Sequence, residues 1–407
     1  MELKEHIPVG MRYSDLKTHD SNRSRNAGVY VNEDIQLTSN PYLLIGGDCG
    51  PVHGPSQGFP IESYTELVRP VLERADARFV NCMRAYSNRG VISEDAPQVC
   101  QPVEMASIFT GGLFDAVNMA NNHAYDAGPD AMLDTRSLMI SGGVQVTGAG
   151  CNLKEARQPA IVERKGIKIG YLGYCSVGHP GSEAGPAKPG ISTMRVRTCY
   201  ETRGPHQPVR IRTEPNAKDL AMLVEDIVAL RNQVDIVVLA FHAGVIRLPR
   251  IISDYQVTVA HAAIDAGADL VVGHSPHIPK AVEVYKGRVV FYSLGVFAMT
   301  KTFAAPSWSD PAWAHGSVRN HADLDPDYPL MPYGKATTLG LLAKAQITKK
   351  GIERVSFLPM KIDSKYRPEV LRNGDKRFAE FLAYMEWVSE DMPHQFKVDG
   401  DEVVVLS

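Results

Sequence analysis

The chain has no strong charge of one sign. Its 407 residues carry 43 Lys and Arg against 46 Asp and Glu, a net charge of -3. That balance offers no basic stripe to a nucleic-acid backbone and no polybasic patch to an anionic membrane. Long apolar runs are also lacking, so no membrane span is expected. The N-terminal MELKEHIPVGMRYSDLKTHD is charged where a secretory signal would carry its apolar core, and a cytoplasmic location is expected. The six cysteines, Cys49, Cys82, Cys100, Cys151, Cys175 and Cys199, are scattered and form no CxxC pair. A disulfide framework and a zinc knuckle are therefore set aside in favour of small buried thiols in a reducing compartment. There is no internal repeat and no low-complexity tract.

What is present is ordinary for a globular enzyme: 44% hydrophobic and 22% charged residues. The length is long for a single layered domain, and two domains would also fit. Residues 1–39 are polar and aperiodic and read as an arm over a neighbouring surface or subunit. Residues 40–365 read as the main domain, and 366–407 as a C-terminal helix and tail packed on it. Tyr42–Ile45, Arg78–Asn81 and Ala116–Ala120 read as short buried strands. Helices are expected around Ser63–Ala75 and Pro129–Ser141, which suggests crossover units and a mostly parallel sheet. Ala160–Tyr174 reads as a hairpin turning at Lys165-Gly166, and Ser176–Arg212 as a long irregular loop. Leu220, Leu223, Val224 and Ile227 share a helical face. Asp235–His242 and Asp269–Gly273 read as buried strands. Hairpins follow at Lys280–Ser293 and Gly340–Ile362, with a long loop at Thr300–Gly334 between them and a helix over Asp375–Glu390 at the end. Two packed mixed sheets between helical layers accommodate both crossovers and hairpins.

Polar residues recur where these strands end, which is where open α/β sheets build their sites. Asp48 follows the first strand, Asn121-Asn122-His123 the third, and His242 ends Val237–His242. His274 and His277 follow Val271–Gly273. Taken singly, such an Asp is a turn residue and such a His a satisfied structural group, the reading given to His261 and His394. Four strand ends carrying metal-competent groups in one topology point instead to a convergent site. A carboxylate, an amide oxygen and several imidazoles suit zinc, manganese or iron. Such an ion polarises a substrate oxygen and acidifies bound water.

These residues resemble a known family. Asn121-Asn-His-Ala-Tyr-Asp-Ala-Gly128 resembles the NNHxxDxG signature of the CapA poly-γ-glutamate synthesis proteins. Gly273-His-Ser-Pro-His277, running on to Tyr292-Ser-Leu-Gly295, resembles their GHxPH…YSLGNF block. Asp48 sits in a Gly-Asp motif, His242 matches the histidine of HWG, and Gly148-Ala-Gly150 with Asn152 and Ala156 matches GAGxNxxxA. The likeness runs from about Leu43 to Met299. It implies a calcineurin-like metallophosphatase fold, a four-layer α-β-β-α sandwich with mixed sheets, and a divalent metal centre of one or two ions.

By that resemblance Asp48, Asn122, His242, His274 and His277 are the candidate ligands. His123 is the general acid, oriented by Asp126. Apart from the resemblance, Arg84, just past Met83, and Asn121 are expected to contact the substrate. The sequence also departs from the pattern. Met83 stands where the family has a metal-bridging Glu, and a thioether cannot supply the negative charge that holds two cations together. One ion is then expected, or a pair that draws on Cys49, His53 or Cys82. Arg195, Arg197, Arg210 and Arg212 border the Ser176–Arg212 loop and could grip carboxylates or phosphates. Trp308, Trp313, His315 and His321 could form a lid or a subunit contact, hence a homodimer. The expected activity is hydrolysis of a phosphoester or peptide-like, polyglutamate-type amide. The alternatives are peptide epimerisation or lyase chemistry, and an accessory role in capsule polymer synthesis.

Overall fold

A computed structural model describes residues 40–52, 54, 58–90, 100–300, 327–331 and 333–407. The arm expected over residues 1–39 lies outside them, as do His53, Trp308, Trp313, His315 and His321. The segments on which the dimer expectation rested therefore lie outside the described residues too.

Strands buried on both faces read as continuous apolar runs, and those runs build two large mixed sheets. The first has ten strands. Its path runs Phe396–Asp399, Glu402–Val405, Gly351–Ile362, Leu339–Thr348, Tyr42–Gly50, Ala77–Cys82, Ala116–Asn118 and Gln145–Thr147. Val296–Met299 joins beside Tyr42–Gly50, and Pro368–Val370 beside Gly351–Ile362. The second has six strands in the order Val282–Tyr285, Arg288–Phe291, Leu270–His274, Ile236–His242, Ile167–Cys175 and Ala160–Arg164.

Alternation along each strand sorts side chains into separate cores. In the second sheet Ile236, Val238 and Ala240 face one core, while Val237, Leu239 and Phe241 face another. In the first, Leu43, Ile45 and Phe79 share the core of Ile236 and Val238, whereas Leu44 and Val80 face away from it. The shared core is thus the inter-sheet layer, and the Phe79 and Tyr171 rings stack across it at 4.4 Å. Outside the first sheet lies the Gly128–Ser141 helix, burying Met132 and Met139. Outside the second lie Ala217–Arg231 and Asp254–Asp265, burying Leu223, Ile227, Val259 and Ala263. The order is helix, sheet, sheet, helix, as the resemblance implies. Phe378, Phe381 and Met385 of the C-terminal helix enter the inter-sheet core.

Three segments differ from the sequence expectation, each for a local reason. The helix expected over Ser63–Ala75 is split into a 3-10 turn, Ile61–Thr65, and a short helix, Arg69–Leu72. Pro70 has no N–H to continue a helix and takes a first-turn position. The loop expected over Ser176–Arg212 contains Val196–Glu201, paired antiparallel with Arg210–Pro215. This ribbon is exposed along much of its length, so it lacks the alternation that marks a half-buried strand. The C-terminal tail adds a hairpin, Phe396–Asp399 with Glu402–Val405, to the edge of the first sheet. Among the described residues no helix is long and apolar enough to cross a membrane.

One close approach fixes where the first strand ends. Asp48 N–H donates to the Gly295 carbonyl at 2.9 Å. A Cβ at Gly47 would lie 2.1 Å from that oxygen, so only glycine lets the strands meet. Gly47→Ala should cost at least the roughly 1–3 kcal/mol typical of overpacking. It should appear as a lower Tm and reduced soluble yield, and an unchanged melt would contradict this packing.

Candidate active site

The parallel strands deliver their C-terminal ends to one place. Asp48 stands opposite Asn81 and Val296 in its two neighbouring strands. His242 stands opposite His274 in the second sheet. Asp48, Asn81, His242 and His274 are fully buried, and His277 nearly so.

Asp48 is the hub. Its Oδ1 accepts from Asn81 Nδ2 at 2.8 Å. Its Oδ2 accepts from the Ser275 backbone N–H at 3.2 Å and from His277 Nδ1 at 2.9 Å. Burial alone would push its carboxyl up. The His277 hydrogen bond, with the electrostatic influence of the surrounding imidazoles, outweighs that and holds it well below the usual carboxylate range. The turn that brings Ser275 and His277 to Asp48 has positive φ at both, 99° and 60°. Non-glycine residues rarely adopt such angles, and they persist where surrounding contacts enforce them.

His242 touches both sheets. Its Nε2 lies 2.9 Å from Asn122 Oδ1, and Asn81 Nδ2 lies 3.3 Å from its Nδ1. The amide partners fix the tautomer: Nε2 carries the proton and Nδ1 accepts. Burial, opposed by Asp48, pushes this ring down to about 3. His274 Nε2 lies 3.3 Å from the Gly46 carbonyl, to which it donates, while its buried Nδ1 has no partner among the described residues. Burial also lowers its pKa.

Beside this cluster stands a second pair. His123 Nδ1 lies 2.6 Å from Asp126 Oδ2. Its ring is pushed down by burial first and by the Arg84 charge next, against Asp126. A neutral ring that gives Nδ1–H to a carboxylate keeps a lone pair on Nε2. Asn121 positions the loop: its Nδ2 donates to the Cys82 carbonyl at 2.7 Å and its Oδ1 accepts the His123 backbone N–H at 3.0 Å. Both ends of its amide are therefore held by backbone. Arg84 is buried, close enough to Asp126 and Tyr333 to be influenced by both, and burial lowers its pKa.

Asn81 had no warning in its sequence. An Asn in a strand carries no signal until its neighbours are known. It donates to Asp48, His242 and Met83 Sδ and accepts from Asn118 Nδ2 at 3.0 Å. Tyr333 was missed as well; its ring lies 5.8 Å from that of His277. The loop arginines are paired away from the site: Arg195 with Asp219, Arg197 with Glu214, and Arg210 and Arg212 with Asp254. His261 bonds Glu283 and His394 bonds Glu386, consistent with structural roles.

The two-ion centre implied by the resemblance does not fit these residues. Neither Asn81 nor Met83 brings the bridging negative charge. Among the described residues no three His, Cys, Asp or Glu groups are placed to hold one ion together. The lone pair on His274 Nδ1 is left without a partner among the described residues.

The buried imidazoles set a pH dependence. His242, His274 and His123 are neutral in the fold and take up protons near pH 6.5 once unfolded. Their share of stability is present above about pH 6.5 and is lost as pH falls through their lowered folded-state values, about 3 for His242. Asp48 adds to the fall only below about pH 5, where the unfolded carboxylate takes up a proton and the folded one does not. Each fully linked histidine contributes a slope of at most about 1.4 kcal/mol per pH unit. Thermal melts between pH 7 and 4 should show a falling Tm, with a shallower fall in His242→Asn. Equal slopes would contradict this account.

Comparison with known proteins finds a family and several relatives. Residues 36–301 match the family described as bacterial capsule synthesis protein PGA_cap. The PGA biosynthesis protein CapA of Bacillus subtilis is 28% identical over 292 residues, 71% of this chain and 63% of its own. A Mycobacterium tuberculosis protein named "Probable polyglutamine synthesis accessory protein" is 31% identical over 183 residues, 44% of this chain and 43% of its own. The chain thus matches about two-fifths to two-thirds of the length of these relatives. A solved structure of a hypothetical protein from Thermus thermophilus aligns with a TM-score of 0.40 at 15% identity, over 79% of this chain and 99% of its own. With more than half of its length matched, the chain belongs to the bacterial capsule synthesis protein PGA_cap family.

Proposed function

We propose that this chain serves capsule polymer synthesis as an accessory enzyme that cleaves or trims γ-glutamyl-type amides, with His123 moving the proton. The 2.6 Å contact between His123 and Asp126 carries the reading. It lies next to a buried anionic hub and beside Arg84. The resemblance implies a general acid at this position. A neutral ring instead begins as a base, accepting a proton on Nε2 from water or another nucleophile, and becomes an acid only then. It can next protonate the departing amine, so one residue serves both half-steps. Asp126 holds the tautomer and stabilises the imidazolium. Arg84 opposes that charge, which favours prompt return of the proton, and it can pair with a substrate carboxylate. The names of the relatives supply the polymer class; the site supplies the proton chemistry.

A second reading has one observation in its favour. Nothing at positions 81 and 83 offers the bridging carboxylate of a two-ion hydrolytic centre, whereas the neutral base is intact. Such a base can also remove a proton from carbon next to a carbonyl, which is epimerase chemistry.

His123→Asn and Asp126→Asn, checked for unchanged melting, should lower amine release from γ-linked glutamate oligomers. The loss at His123 should be about a hundredfold or more, the scale of general acid–base catalysis. Wild-type rates in both variants would overturn the assignment. Deuterium entering the α-position of recovered substrate from heavy water, without amine release, would select the second reading.

A further inference from the structure

Two strands stand apart from both large sheets. Val196–Glu201 and Arg210–Pro215 pair only with each other among the described residues. A two-stranded ribbon alone is marginal in water, and each of its edges can take a further strand. The Arg210–Pro215 edge is held by the body of the protein. Thr213 N–H donates to Asp254 Oδ2 at 3.2 Å, and Thr213 Oγ1 accepts the Tyr255 N–H at 3.2 Å. The other strand has Arg197, Thr198, Tyr200 and Glu201 exposed. Tyr200 is 74% exposed, and Ile211 opposite it 59%.

The direction of the backbone groups follows from the ladder. At the base of the ribbon Asn216 N–H donates to the Arg195 carbonyl at 2.7 Å. Bonded and unbonded pairs alternate along an antiparallel ladder. Arg197 with Glu214, Cys199 with Arg212, and Glu201 with Arg210 are therefore the bonded pairs. Pro215 and Thr213 fall at unbonded positions, in keeping with the missing N–H of proline and the outward bond of Thr213. Across from them Val196, Thr198 and Tyr200 turn their N–H and C=O groups away from the ribbon. Among the described residues nothing pairs with those groups. Side chains alternate too: Arg197, Cys199 and Glu201 share one face, and Val196, Thr198 and Tyr200 the other.

We propose that this edge joins two copies of the chain: Val196–Glu201 pairs antiparallel with the same strand of a second copy, about a two-fold axis through Cys199. Charge complementarity selects both the occupant and the register. Centred on Cys199, the pairing sets Arg197 of each copy opposite Glu201 of the other. The row across four strands then runs Glu214, Arg197, Glu201, Arg210 and alternates in sign. Moving the axis to Thr198 or Tyr200 would instead leave Arg197 or Glu201 facing the Cys199 thiol. Within one copy Arg197 meets Glu214 at 2.6 Å, and Arg212 lies 3.6 Å from Glu201. A guanidinium has donors for a second carboxylate, so these exposed pairs extend across the seam. Thr198 lies opposite Tyr200, and their backbones exchange the outward bonds on either side of the axis. The two Cys199 thus face each other as an unbonded pair. The two Tyr200 rings become diagonal neighbours within aromatic reach, on the face that carries Ile211. Such an isologous contact closes at two copies and removes the open edge. It is short and belongs with weak, concentration-dependent interfaces.

Sedimentation velocity of the purified chain over a range of concentrations should show a monomer–dimer equilibrium. Unbonded pairs bring Cα atoms to about 4.5 Å, inside disulfide reach. Oxidation with diamide, which takes up the two thiol hydrogens, should therefore link Cys199 to Cys199, as read by peptide mapping. Thr198→Pro removes an outward donor and leaves the ribbon's own bonds in place. It should weaken dimerisation at least tenfold and suppress the link, whereas Thr198→Val keeps the donor and should retain both. Melting curves check that each variant folds. If Thr198→Pro fails that check, Arg197→Glu, which sets like charges opposite Glu201, should show the same loss. Three results would overturn the pairing. The first is a monomer at every concentration. The second is a dimer left unchanged by a normally melting Thr198→Pro or Arg197→Glu. The third is disulfide formation at other cysteines, such as the exposed Cys151, with none between two Cys199.

Discussion

A buried carboxylate must be matched by donors or by cations, and the constraint at Asp48 organises everything around it. The residue is fully buried where two sheets bring their strand ends together. Asn81, Ser275 N–H and His277 supply its hydrogen bonds. The donors come from two local devices: a neighbouring parallel strand for Asn81, and a turn with positive φ for Ser275 and His277. Gly47 allows the first strand to approach Gly295 closely enough to set Asp48 in place. Moving any of these leaves an anion without partners in a dry interior, where an unmatched charge is costly.

From this hub the site extends in two directions. Through Asn81 and His242 it reaches Asn122, and so the loop that carries His123 and Asp126. Through His277 it reaches Tyr333. The His123–Asp126 pair thus lies on one side of the hub and the Tyr333 ring on the other.

Much of this was legible in the sequence. Buried strands announce themselves by uninterrupted apolar runs such as Ile236–Phe241, and polar residues at their ends mark the site. Asp48, Asn122, His242, His274 and His277 are brought into one neighbourhood, and His123 meets Asp126 as the NNHxxDxG spacing implies. What was not legible depends on neighbours distant in sequence. Asn81 looks like any strand residue until Asp48 and His242 are packed against it. Tyr333 follows a segment of irregular composition. The Val196–Glu201 ribbon escaped because an exposed strand pair has no buried face to impose alternation. The tail hairpin is short, and pairing with the sheet edge makes it a strand. Conversely Arg195 and Arg212, attractive in sequence as substrate contacts, are paired with Asp219 and Asp254.

The central claim is that the protein's own donors, rather than a bridged pair of cations, balance the Asp48 charge. Met83 stands where the family's bridging carboxylate is expected, and neither it nor Asn81 supplies a charge. Elemental analysis of the purified chain after equilibration with zinc, manganese and iron tests this directly. The account predicts at most one tightly held ion per chain; two per chain would contradict it.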